Sequence, residues 1–174
     1  MSEDTPGTPD GGSASLFDAL AREQRILLDT VGRCSDAQLE RTGVLGDWSI
    51  KNTLAHLTAW EAVVIASLPT RLATGQRPAI FDEINADEDG WNARQVAERE
   101  DKPPKEQIFD LENTRNQLVN YLRSLGDETL AKPHPWPGWD GTLAEYILAE
   151  VCDHEKEHCD AICVAVADLG PDAG

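Results

Sequence analysis

The chain of 174 residues is 40% hydrophobic and 27% charged, and its formal net charge is −17. That size and mix describe one globular domain with a core of its own. They exclude a membrane-spanning helix, because no apolar run nears the ~20 residues needed. They also exclude a nucleic-acid binder, because no Lys/Arg cluster offers phosphates a face.

Residues 1–13 hold Gly, Pro, Ser and acid with almost nothing to bury, and are expected to be a disordered tail. The start is acidic and lacks a basic stretch leading into an apolar one, so no secretory signal is read and the expected location is the cytoplasm. The expected domain covers 14–169, and residues 170–174 form a second flexible tail.

The first helix is predicted over 14–32, where Leu16, Leu20, Leu27 and Val31 recur on one face. A short turn over 37–40 and a loop with Gly43 and Gly46 lead to Ser49, a good N-cap for the second helix. That helix should end before Pro69. Residues 70–89, with Gly75, Pro78 and several acids, read as a long connection, followed by a short extra helix over 91–98.

Pro103-Pro104 opens the third long helix, in which Ile108, Leu111, Leu118, Leu122 and Leu125 keep helical spacing and Arg115 fills the one polar slot. Gly126 ends it. The loop over 127–140 contains the rigid, aromatic run PHPWPGWDG, and the fourth helix occupies 142–169. The pattern is that of an all-α, four-helix bundle with a long connection and a short extra helix between helices 2 and 3.

Of the four cysteines, Cys152, Cys159 and Cys163 share the last helix, a poor geometry for disulfides. With Cys34 they read as reduced packing residues, the alternative being a role beside a metal.

That last helix carries the chemistry. His154 and His158 stand one turn apart, in a single stripe with Ile147, Val151, Ile162 and Ala165. Two imidazoles on an apolar face are costly unless each has a partner. One divalent metal ion would satisfy both; ordinary hydrogen-bonded core histidines are the plainer reading.

His56 shares a face of the second helix with Ser49, Thr53, Trp60 and Val64 and can supply a third ligand. Three histidines leave coordination positions open, as in reactive rather than structural sites. His134 lies among prolines, at the site mouth or simply on a surface loop. His154-Glu155-Lys156-Glu157-His158 also matches the metalloprotease pattern H-E-x-x-H. However, the 16 residues after His158 contain no His or Glu to complete a protease site.

Glu61, Glu150 and Glu155 are the candidate acid–base groups; the plainer reading is a surface carboxylate, or one that supports the site from behind the ligands. Glu155 sits at the edge of the histidine stripe. Trp60, Trp91, Trp136 and Trp139 are candidates to line a pocket mouth, or to pack in the core.

The stretches GDWSIKNTLAHLTAWE and DHEKEHCDAI resemble the second and last helices of the DinB-like four-helix bundle superfamily, and the likeness covers most of 14–168. GWNARQVAERE and TRNQLVNYLRSLGDE resemble its ClbS/DfsB branch. The resemblance implies a bundle that often dimerises and a nickel or zinc ion on His56, His154 and His158. It implies no DNA binding. Relatives include metal-dependent hydrolases, thiol-dependent transferases and isomerases, and a protein that detoxifies a cyclopropane-bearing metabolite.

The expected function is metal-dependent, hydrolase-type detoxification of a small electrophilic molecule, with Glu61 and Glu155 as acid–base groups. The alternatives are a thiol-dependent transferase or isomerase, and non-catalytic binding of a small molecule or metal. The acidic surface shows no basic clamp for the carboxylates of a thiol, which favours the hydrolase.

Overall fold

The computed structural model of the chain describes residues 12–169. The expected tails lie outside that range, except residues 12 and 13, which open the first helix.

Helix α1 (Gly12–Val31) buries Leu16, Leu20, Leu27 and Val31, the stripe its spacing predicts. The short α2 (Asp36–Glu40) starts at a capping box between Ser35 and Gln38. A second capping box starts α3 (Ile50–Thr74). There the Ser49 hydroxyl accepts from the Asn52 amide at 3.1 Å, and the Asn52 side chain accepts from the Ser49 amide at 3.0 Å. Two otherwise orphaned donors are satisfied and the phase of the helix is set.

Helix α3 does not stop before Pro69, as its sequence suggests, but continues to Thr74 and ends at Gly75, whose φ of 69° is left-handed. Pro69 lies on the exposed face, where its missing donor and its ring are tolerated within a continuous helix. Leu68, just before it, and Arg71, just after it, are both buried.

The expected long connection is also mostly helix. It forms α4 (Ile80–Ala86) and α5 (Glu88–Ala97), joined at Asp87, whose carboxylate accepts from the Gly90 amide. Phe81, Ile84, Trp91 and Val96 bury their side chains there, and α5 packs against α3. The short extra helix expected over 91–98 is α5, which starts three residues earlier; single apolar residues set among acids gave too little periodicity to reveal α4.

Helix α6 (Pro104–Leu125) follows its predicted bounds. The next loop holds α7 (Asp127–Ala131) and a tight turn at Pro137-Gly138, where Gly138 has φ 80° and the Trp139 amide donates to the Trp136 carbonyl at 2.9 Å. The fourth long helix is α8 (Leu143–Ile147), a π-helical turn (Leu148–Asp153) and α9 (His154–Leu169).

Helix α3 packs along α6, and α1 along the fourth helix, closing a four-helix bundle. No described helix is long and apolar enough to cross a membrane. Two apolar clusters fill the bundle. One contains Leu20, Val64, Leu118, Ile147 and Val151, the other Leu27, Leu54, Leu111 and Ile162. Along α3, α6 and the fourth helix, a polar layer of His56, Glu61, Arg115, His154, Glu155 and His158 separates them.

Candidate metal centre

The capping box at Ser49 fixes which way α3 presents His56, two turns on. The start of α3 is pinned from outside as well. Asn52 donates to the Glu100 carboxylate at 2.8 Å, and Lys51 donates to the Glu100 carbonyl at 3.0 Å. His56 is 5% exposed, and the Trp48 ring lies 5.4 Å away from it, centroid to centroid. On the fourth helix the π-helical turn ends at Asp153, so His154 is the first residue of regular α9 and His158 lies one turn beyond. π-helical turns are rare and concentrate at functional sites.

The three imidazoles point their Nε2 atoms at one another. The Nε2 of His154 lies 3.1 Å from that of His56 and 3.1 Å from that of His158. All three ligand atoms fall within 4.8 Å of one another. Nitrogens held ~2.0–2.1 Å from one ion at angles between square and tetrahedral are separated by about 2.9–3.4 Å. The two spacings from His154 fit a shared metal ion.

Burial pushes the His56 pKa down to about 4, with the neighbouring His158 adding to the effect and Asn92 opposing it. Burial, then His158 and His56, lower that of His154 to about 3. Burial also lowers that of His158. All three are therefore neutral near pH 7, the form that ligates metal. The His56 Nδ1 is buried without a formal hydrogen bond, and Asn92 is the side chain that interacts with the ring.

A pocket of about 210 Å³ opens beside the cluster, lined by His56, His154, Trp60, Asn92, Glu150 and Glu88 among others. Trp60 spans the gap between helices, and its indole N–H donates to the Glu150 carbonyl, inside the π-helical turn, at 2.8 Å.

Residues 19–162 match the sequence pattern of the DinB superfamily. The chain belongs to the DinB superfamily. Its members often bind metal, which accords with the three-histidine cluster. In structure the chain is similar to an uncharacterised protein of Escherichia coli UTI89, with a TM-score of 0.74 at 14% identity over 92% of this chain and 96% of that one. That likeness speaks to the fold. No curated protein matches the sequence.

Within this DinB-superfamily bundle the other expected site residues separate. Trp60 lines the pocket, its ring 5.7 Å from that of His154. Trp91 is buried behind it, ring centroids 6.3 Å apart, and packs with Ala59 and Ile84. His134 and Trp136 do not line the histidine pocket. His134 stacks on Trp136 at 5.0 Å and its Nε2 donates to the Thr129 carbonyl, because the 133–142 hairpin-like loop folds onto α7 and α8. Trp136 is buried against Tyr146.

Glu61 and Glu155 are not solvated carboxylates: they are 3% and 2% exposed, and both bind Arg115. The guanidinium takes Glu61 with two bonds of 2.8 and 3.2 Å, Glu155 at 2.8 Å and the Leu20 carbonyl at 2.8 Å. Burial raises the pKa of both carboxyls, with Arg115 opposing. Burial also works against the Arg115 charge, but the two carboxylates outweigh it and its pKa rises. A void of about 10 Å³ touches Glu61, Arg115 and Glu155 on one side and His154 and Trp60 on the other.

Arg115 was legible only as the polar break in an apolar stripe. Asn92 lay in the short extra helix, to which no site role was given, and Arg71 in what read as a connection. Arg71 and Arg77 line a second pocket that also touches Trp60 and Glu150. That overturns the expectation that no basic group stands near the site. The surface is acidic, but these two arginines are held inward by α3 and the turn that follows it.

The cysteines form no disulfide among the described residues. Burial pushes the thiols of Cys152 and Cys159 up to about 12, so both stay protonated.

Proposed function

We propose that the chain is a metal-dependent enzyme of the ClbS/DfsB type that detoxifies a small electrophilic molecule, by hydrolysis, in the pocket beside His56 and His154. The observation that carries this reading is the convergence of three neutral imidazoles next to an open pocket, with the His154 Nε2 3.1 Å from that of His56 and of His158 and all three ligand atoms within 4.8 Å of one another. His56, His154 and His158 would hold one divalent ion, nickel or zinc. Bound there, the metal supplies a lowered pKa for a nucleophile and polarises an acceptor.

The protein's own groups do the rest. Trp60 and Asn92 shape the pocket and orient the substrate. Glu150 lines the pocket and its carboxyl pKa is raised, by burial first and against the pull of Arg71 and Arg77. A carboxyl with a raised pKa is suited to hold a proton in transfer. Glu61 and Glu155, expected as acid–base groups, act in this proposal by fixing Arg115 behind His154, since Arg115 already engages both carboxylates.

The same site serves a low-molecular-weight thiol in place of water, and Arg71 and Arg77 remove the earlier objection that nothing basic could hold its carboxylates. Cytoplasmic location and a homodimer complete the proposal; sedimentation of the purified chain tests the dimer.

The test is elemental analysis of protein purified without a His-tag, beside a His154→Ala/His158→Ala variant. About one transition metal per chain, lost in the variant while helical circular dichroism persists, is the expected result. Activated esters, lactones and epoxides are then assayed with and without added thiol. Turnover without thiol supports the hydrolase, and turnover only with thiol supports the transferase. Absence of metal after adding nickel or zinc overturns the proposal.

A further inference from the structure

We infer that Arg71 is a carboxylate-binding site and that the electrophilic substrate handled beside the three histidines carries a carboxylate. The inference rests on the reading of that pocket as the substrate site.

Arg71 stands in the last turn of α3 and is 4% exposed. Its Nε is buried with no hydrogen-bond partner. No carboxylate of the described residues pairs with its guanidinium. Three rings enclose the charge instead: Phe81 at 4.7 Å, Tyr146 at 5.0 Å and Trp136 at 5.3 Å from Cζ to ring centroid. Aromatic faces attract a cation but give its N–H groups no acceptor. A buried guanidinium without an anion is an unfavourable arrangement that a bound anion relieves.

The space for that anion exists. A pocket of about 230 Å³ is lined by Arg71, Arg77, Tyr146 and Trp139, and it shares Trp60 and Glu150 with the pocket on the histidines. The two pockets therefore adjoin along the Trp60–Glu150 wall. The aromatic loop PHPWPGWDG, which the metal site leaves without a role, forms one wall through Pro137, Gly138 and Trp139.

The charge count selects the ligand. Arg77 is already committed, donating to the Phe81 carbonyl at 2.6 Å and lying 3.7 Å from the Asp82 carboxylate. Glu150 senses both arginines without contacting either. One uncommitted guanidinium offers a single positive charge, which matches a monoanion, and a planar carboxylate can take two parallel bonds from it. A phosphate dianion would meet Glu150 unbalanced.

The experiment titrates phenylacetate into the full-length protein and follows tryptophan fluorescence, since Trp60 and Trp139 line the pocket. It is run on the zinc-loaded wild type and on the His154→Ala/His158→Ala variant. Saturable binding to both is expected, weakened at least about tenfold in Arg71→Gln and partly recovered in Arg71→Lys. 2-Phenylethanol and phenyl phosphate should bind at least about tenfold more weakly than phenylacetate.

Equal binding of 2-phenylethanol overturns the inference with no variant needed, so a misfolded Arg71→Gln does not protect it. Binding lost in the histidine variant with its fold intact assigns the carboxylate to the metal and also overturns it. If 3-mercaptopropionate binds through Arg71 and phenylacetate does not, the carboxylate belongs to a thiol co-substrate, and the inference that the electrophile carries it is overturned. Absence of metal with intact Arg71-dependent phenylacetate binding would sink the proposed metal enzyme and leave the carboxylate site standing.

Discussion

At the residue scale, the polar layer sets the sensitivities of this protein. A histidine in an unfolded chain titrates near ~6.5, but His56 and His154 in the folded chain titrate near about 4 and about 3. Below pH ~6.5 the unfolded state binds protons that the folded state refuses. The metal-free protein should therefore lose stability as pH falls from ~6.5 toward 4, by up to about 1.4 kcal/mol per pH unit for each such histidine. The raised pKa values of Glu61, Glu150 and Glu155 push the opposite way. The histidine share is thus the difference between wild type and His154→Ala/His158→Ala, read from urea midpoints in chelator at pH 7.5 and 5. Identical pH dependence in the two proteins would contradict buried neutral imidazoles. Arg115→Met leaves two carboxylates buried without their partner. It should cost about 3–5 kcal/mol in urea unfolding at pH 7, and much of that should return when Glu61→Gln and Glu155→Gln are added.

At the element scale, Pro69 is the clearest compromise. It removes one donor from the hydrogen-bond ladder of α3 on an exposed face, while the turn after it carries Arg71 into the interior. Pro69→Ala restores the donor and removes the ring, so it should stabilise the protein by about 1–3 kcal/mol, less the entropy regained by the unfolded chain. A lower thermal midpoint would show that the proline holds a bend the bundle needs. Ser49→Ala removes the cap that phases α3 and should cost about 1 kcal/mol. Because His56 sits two turns on, the same change should weaken zinc binding measurably by competition with a chelating dye.

At the scale of the whole molecule, two apolar clusters sit on either side of the metal layer, each built from all four long helices. Neither depends on a bound ion. Chelation should therefore lower stability by only about 3 kcal/mol at a metal concentration a hundredfold above Kd, with helical circular dichroism retained at 25 °C. Collapse of the helical signal on chelation would mark a metal that folds the protein rather than one that serves chemistry.

Periodicity along the chain determined the four long helices, because Leu16, Leu20, Leu27 and Val31, or Leu111, Leu118 and Leu122, must share a face to leave water. The i, i+4 pair His154 and His158 on such a face, with His56 inside another, was enough to name the cluster, since local geometry dictates both directions. What lies between distant segments was decided only by packing. Glu155 looked solvated at the stripe's edge, yet it meets Arg115 of another helix, 40 positions away. His134 and Trp136 looked like a pocket mouth, yet their loop folds against Tyr146. Arg71 fell in what read as a connection, and only the crossing of α3 with the aromatic loop encloses its charge. Helical phase is a local property that a sequence carries; which buried charge meets which partner depends on how the helices cross.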